Sequence, residues 1–151
     1  MSTWSYGRAT LRIAGLKIWV SGRQHPELHD YWDGNWLQVS ARCTNRGSSV
    51  VEVEGPILHV TEIAALLQGC ESMYATLSGS AMLDCIEPNL FAELSMKTAG
   101  HVATMVRITP DHLAEAHTFH FEIDQSYLPA IIRECRGILK DYPVRGSSDS
   151  E

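Results

Sequence analysis

Between Leu37 and Thr44 every second residue is apolar: Leu37, Val39, Ala41 and Cys43 alternate with Gln38, Ser40, Arg42 and Thr44. Successive side chains of a strand point to opposite faces, so this pattern builds a strand with one face on a core and one in water. A sheet wet on one side is antiparallel, because parallel sheets are covered on both faces and read as unbroken apolar runs. Neighbouring residues agree. Asn45 to Ser49 is a turn, and Val50 to Glu54 opens the return strand of a hairpin. Gly55-Pro56 is expected to break that strand before Ile57 to Val60. Upstream, Leu11 and Ile13, then Leu16, Ile18 and Val20, alternate on either side of Gly15 as two short strands or one bent strand.

The period then lengthens. Ile63, Leu66, Leu67, Cys70, Met73/Tyr74 and Leu77 recur at helical spacing, with Thr61 expected as N-cap and Glu62 in the first turn. Gly69 inside this helix costs about 1 kcal/mol relative to Ala, which points to a close packing contact. Ala81 to Cys85, Leu90 to Lys97 and Val102 to Ile108 read as strands, the last two joined by a turn at Thr98-Ala99-Gly100. His117 to Ile123 alternates as another strand. Ser126 is expected to cap a final helix striped by Leu128, Ile131, Ile132, Cys135, Ile138/Leu139 and Tyr142, with Pro129 in its first turn and Pro143 as its stop.

The order predicts an α+β fold: a mainly antiparallel sheet or sandwich of about seven to nine strands with two amphipathic helices, one mid-chain and one C-terminal. Strands followed by a helix occur twice, without a residue-level repeat. Residues 1–145 are expected to form a single domain and 146–151 a disordered tail.

With 151 residues and 44% hydrophobic content the chain can bury a real core. No apolar run approaches the ~20 residues of a membrane span. Arg8 and Arg12 interrupt the N-terminal apolar residues, so no signal-peptide core is read there and a cytoplasmic protein is expected. Cys43, Cys70, Cys85 and Cys135 lie far apart on apolar faces without a CxxC pair, as buried free thiols would. The formal charge of −6 and the lack of a Lys/Arg cluster argue against nucleic acid and membrane as direct partners, and favour a basic protein.

Constellations that carry chemistry are sparse. His25 and His29 stand at i, i+4 with Asp30 and Asp33 close by, but Pro26 makes a helix there doubtful and a polar loop is the plainer reading. His117 and His120 fall on opposite faces of a strand, and His101 opens one after Gly100. No nucleophile elbow, P-loop, GxGxxG or triad grouping is present. Glu87-Pro88-Asn89 reads as an X-Pro turn, with Glu87 as a possible general acid only if a partner group is fixed beside it. The expectation is no catalytic residue, no metal ligand and no cofactor.

One segment is unusual. Asp30-Tyr31-Trp32-Asp33-Gly34-Asn35-Trp36-Leu37 packs three aromatic rings, two carboxylates, an amide and a turn glycine into eight residues. Such rings can stack on a sugar, anchor a protein interface, or close a core as a lid. Asp30, Tyr31, Trp32, Asp33, Asn35 and Trp36, together with Glu87, are therefore the candidate binding residues.

Gly22-Arg23-Gln24-His25-Pro26, the DYWDGNWL word at 30–37, Cys85-Ile86-Glu87-Pro88-Asn89-Leu90, Gly100-His101-Val102 and Phe121 to Leu128 together resemble the WapI-type immunity proteins over roughly residues 9–145. The DYWDGNWL and EPNL words carry most of the specificity. The resemblance implies a small cytoplasmic protein that binds a cognate toxin domain, often a nuclease, tightly and without covalent chemistry. It supplies no catalytic residues. The expected function is a non-enzymatic binding protein. The alternative is a small-ligand or carbohydrate module built on Tyr31, Trp32 and Trp36, with a metal-dependent enzyme third.

Overall fold

The computed structural model describes residues 7–148. These form eight strands in two four-stranded antiparallel sheets, each followed by a helix. The first sheet is the meander β1 (Leu11–Ile13), β2 (Leu16–Arg23), β3 (Trp36–Asn45) and β4 (Ser49–His59), leading into α1 (Val60–Thr76). The second is β5 (Ser80–Asp84), β6 (Leu90–Met96), β7 (His101–Ile108) and β8 (Thr118–Asp124), leading into α2 (Leu128–Asp141). The α+β class, the antiparallel pairing and the placement of both helices are as the residue periods predict.

The alternation explains which face each strand buries. Leu37, Val39, Ala41 and Cys43 are inside on β3, as are Leu90, Ala92 and Leu94 on β6 and Val102, Thr104 and Val106 on β7. These inner faces merge with both helices into one apolar cluster. Leu66, Ile131, Ile132 and Cys135 are buried in it, and Leu67 packs against it half-buried. Burying each such aliphatic side chain is worth about 1.5–3 kcal/mol.

The helices pack on each other and on the sheet edges, α1 along β5 and α2 along β1. A Cβ on Gly69 would sit 2.8 Å from Ala81 Cβ, so the glycine that weakens α1 also lets it lie on β5. The free edge of β1 is closed by α2: Glu134 accepts from the Arg12 backbone N–H at 2.9 Å and from its guanidinium at 2.8 Å. A second ion pair, Arg136 to Glu71, ties the helices together. Where the sheets meet, a Cβ on Gly15 would lie 2.2 Å from the Thr44 carbonyl oxygen and 2.6 Å from the Phe121 ring.

Three local expectations are corrected. Gly55-Pro56 does not end the strand; β4 runs on to His59 through a register shift, with Gly55 at φ +151. Because β4 is an edge strand, the missing N–H of Pro56 leaves no ladder bond unmade. His59, not Thr61, is the N-cap of α1. Asp124, not Ser126, makes the cap before α2: its carboxylate accepts from the Ser126 N–H at 2.8 Å and opens a short 3₁₀ turn, Gln125–Tyr127. Cys43, Cys70 and Cys135 are buried free thiols, and Cys85 is a half-buried one. Of the expected tail, residues 149–151 lie outside the described residues, while Gly146 sits against the backbone of Asp30 and Tyr31.

Candidate functional site

The link from β2 to β3 contains the aromatic segment, and its shape follows from two short-range devices. The Asp30 carboxylate accepts from the Asp33 N–H at 2.9 Å, and the Asp30 carbonyl accepts from the Gly34 N–H at 3.1 Å. Asp commonly closes a turn through its own side chain in this way. Gly34 is required by space, since a Cβ there would fall 2.5 Å from the Asp30 carbonyl oxygen and 2.6 Å from that of Leu28.

The turn delivers Asn35 to the interior, where it is fully buried. Its side-chain amide donates to the Tyr31 carbonyl at 2.7 Å and to the Arg145 carbonyl at 2.9 Å. Its side-chain oxygen accepts from the Arg145 N–H at 2.9 Å and from the Arg23 guanidinium at 3.2 Å. One side chain thus pairs with the backbone of the C-terminal segment in both directions. Two arginines complete the fastening. Arg23 donates to the Gly34 carbonyl at 2.7 Å and also to that of Pro143. Arg145 reaches back to the carbonyls of Pro26 at 2.8 Å and Leu28 at 2.6 Å.

Behind the loop stands His59, also fully buried. The rings of Tyr31, Trp32 and Trp36 surround it at centroid distances of 5.7, 6.1 and 4.9 Å. Tyr31 and Trp32 meet edge-to-face at 5.0 Å, an arrangement that aromatic quadrupoles favour. The Trp32 carbonyl, 3.2 Å from Nε2, can only accept, so Nε2 carries the proton. Nδ1 then accepts from the Thr61 hydroxyl at 2.6 Å, and the ring is neutral. Burial pushes the imidazole below its ordinary pKa, which holds it in that form.

Glu62 extends the network. Its buried carboxylate accepts from the His59 N–H at 2.8 Å and from the Ile86 N–H at 2.7 Å. Burial pushes this carboxyl above its ordinary range, against those two bonds. Through Ile86 the β5–β6 turn is fixed to the start of α1, and Glu87 follows half-buried beside it.

The predicted residues divide accordingly. Asn35 is inside with its amide consumed by the fold. Tyr31 and Trp36 are half-buried, Trp32 is 47% exposed, and Asp33 is exposed. Asp30 closes the turn, and Glu87 only follows Ile86, whose N–H donates to Glu62. His59 and Arg145 are not singled out by the sequence, which marks Glu62 only as a first-turn acid and Arg23 only as part of the family resemblance. The one signal was His59 three residues before Glu62, the spacing of a capping box with His in place of Ser or Thr. His25 and His29 flank a turn closed by Leu28 N–H to the His25 carbonyl at 3.1 Å, not a helical turn. Among the described residues no group of three or more His, Cys, Asp and Glu is placed to hold a metal ion.

This arrangement is a clamp. It ties the β2–β3 link, the start of α1, the β5–β6 turn and residues 143–145 to one another. Among the described residues no helix is long and apolar enough to cross a membrane. No curated protein and no solved structure matches the chain. A protein-family model does, over residues 10–143, a span that takes in both sheets, both helices and most of the clamp: the chain belongs to the immunity protein WapI-like family.

Proposed function

We propose that this protein neutralises a cognate toxin domain, of the nuclease class, by direct non-covalent binding in the cytoplasm, with no turnover of its own. The observation that carries this reading is the match of an immunity family to residues 10–143. The charge of −6 supports it, since a domain that binds nucleic acid is basic and an acidic protein meets it with favourable long-range attraction. The carbohydrate alternative loses support from the geometry. Tyr31 and Trp36 are half-buried against His59, so that of the three rings Trp32 alone is exposed.

The test is protection. Cells expressing the cognate toxin domain should survive when this protein is co-expressed, and the two purified proteins should form a complex. Association should slow as salt shortens the Debye length below about 8–10 Å, with dissociation less affected. Failure to protect, with no complex formed, would end the reading.

A further inference from the structure

The two sheets differ in what they do with their outward-facing charges. On the first sheet several of these are engaged within the chain. Arg42 pairs with Glu52 at 3.7 Å, and Glu54 accepts from the Ser40 hydroxyl at 3.0 Å. The outer face of the second sheet is built from register rows crossing its strands: Asp84–Phe91–Arg107–Thr118, then Met82–Glu93–Met105–His120, then Ser80–Ser95–Ala103–Glu122. Among the described residues, Asp84, Glu93 and Glu122 have no ion-pair partner within 4.0 Å. Arg107 lies over the Phe91 ring at 4.2 Å, held at the far end of the face from Glu122.

No helix covers this face, because α1 approaches β5 from the inner side, at Ala81. Ser95 and Ala103 are small, and with their neighbours they leave an open depression of about 560 Å³ lined by Glu93, Met105, His120 and Glu122 and also by Lys97. Met82 is 42% exposed next to Glu93 in its row. Apolar surface flanked by unpaired carboxylates suits the stem and the charge of a long cationic side chain together.

We propose that the outer face of the β5–β8 sheet is the surface that docks the toxin domain, with a Lys or Arg side chain of that basic partner entering the depression between Glu93 and Glu122. This inference rests on the immunity reading and adds the place and chemistry of contact. Charge complementarity selects the occupant: the protein is acidic, Asp84, Glu93 and Glu122 outnumber Lys97 and Arg107 on this face without pairing to them within 4.0 Å, and a basic domain supplies what they lack. Met105 and Met82 lie beside these carboxylates as adaptable apolar contacts.

The experiment measures affinity for the toxin domain against which this protein protects cells, at low salt, together with melting temperature. Three proteins are compared: the natural chain, the double variant Glu93→Lys/Glu122→Lys, and Trp32→Ala. The double variant should bind about 30-fold or more weakly with its melting temperature little changed, because Glu122 is exposed, Glu93 is half-buried, and neither has an ion-pair partner among the described residues. Trp32→Ala should change affinity less than about threefold once any loss of folded protein is corrected for. If the natural chain binds and the double variant binds equally well, the docking face is wrong while the immunity reading stands. The face is also wrong if Trp32→Ala alone abolishes binding with melting unchanged. If the natural chain fails to bind at all, both readings fall together.

Discussion

The Asp30–Trp36 loop and the outer face of the β5–β8 sheet use polar residues in opposite ways. In the loop, every bond that Asn35 makes is answered from within the chain, and the three rings close around one buried imidazole. On the sheet, Asp84 and Glu122 are exposed and Glu93 half-buried, none with an ion-pair partner among the described residues, set among methionines and an aromatic ring. The difference teaches that a conspicuous motif can be conspicuous because the fold consumes it. Trp, Tyr, Asn and Gly are demanding residues, and a polar clamp built from them must be satisfied throughout. A docking surface has the reverse signature, since its polar groups must be unsatisfied until the partner arrives.

The comparison breaks most visibly at Asn35. Asn35→Ala removes the side-chain partner of both backbone groups of Arg145 and one bond to the Tyr31 carbonyl, and should cost about 3 kcal/mol or more in chemical denaturation. A loss below about 1 kcal/mol would mean that the clamp is not what fastens the C-terminal segment. Gly34→Ala should follow at about 2 kcal/mol, because the added methyl meets backbone oxygens at 2.5 and 2.6 Å that cannot turn aside. By contrast Glu93→Lys/Glu122→Lys should leave stability within about 0.5 kcal/mol of the natural chain.

Acidity sharpens the same contrast. Burial holds the folded pKa of His59 below its free value of 6.5, so the unfolded chain takes up a proton first as pH falls. The stability from neutral His59 is present above about pH 6.5 and is lost as pH drops from there toward the lower folded value. Glu62 acts in the opposite sense. Its carboxyl is raised above 4.5, so its contribution is present below that value and fades as pH rises through the raised one. Between about pH 7 and pH 5 His59→Gln should therefore lose less stability on acidification than the natural chain does, because only the Glu62 contribution remains. An unchanged slope in that variant would place the acid sensitivity elsewhere.

The thiols give the smallest effect. Burial pushes Cys43 and Cys70 up to about 12, so neither is a thiolate nucleophile near neutral pH. Alkylation of the native protein should be slow, with four adducts appearing only after denaturation. Rapid native labelling of Cys43 or Cys70 would contradict the packed core.

How much of this was written in the residues follows from how local each cause is. The strands and the α2 stripe were legible because alternation and helical spacing are properties of neighbours. The bulge at Gly55 was not, since it depends on β4 being an edge strand, which no residue near Pro56 records. Within the site, Asp30 and Gly34 made a readable turn, but the burial of Asn35 depends on Arg145, 110 residues away. The bond from Ile86 N–H to the Glu62 carboxylate spans 24 residues and was equally invisible. On β6 and β8 the sequence displayed the strands, yet only their register places Glu93 and Glu122 on one face flanking the same depression.

The claim beneath all of these is that the protein works by occupancy. The direct measurement is a titration of the purified toxin domain, held well above the dissociation constant, with this protein while the toxin's activity is followed. Binding without turnover predicts a straight decline that ends at a fixed stoichiometric ratio and does not deepen with longer incubation. Loss of all activity at a small fraction of that ratio, or continued loss with time, would show that the protein acts on the toxin catalytically and would contradict the account.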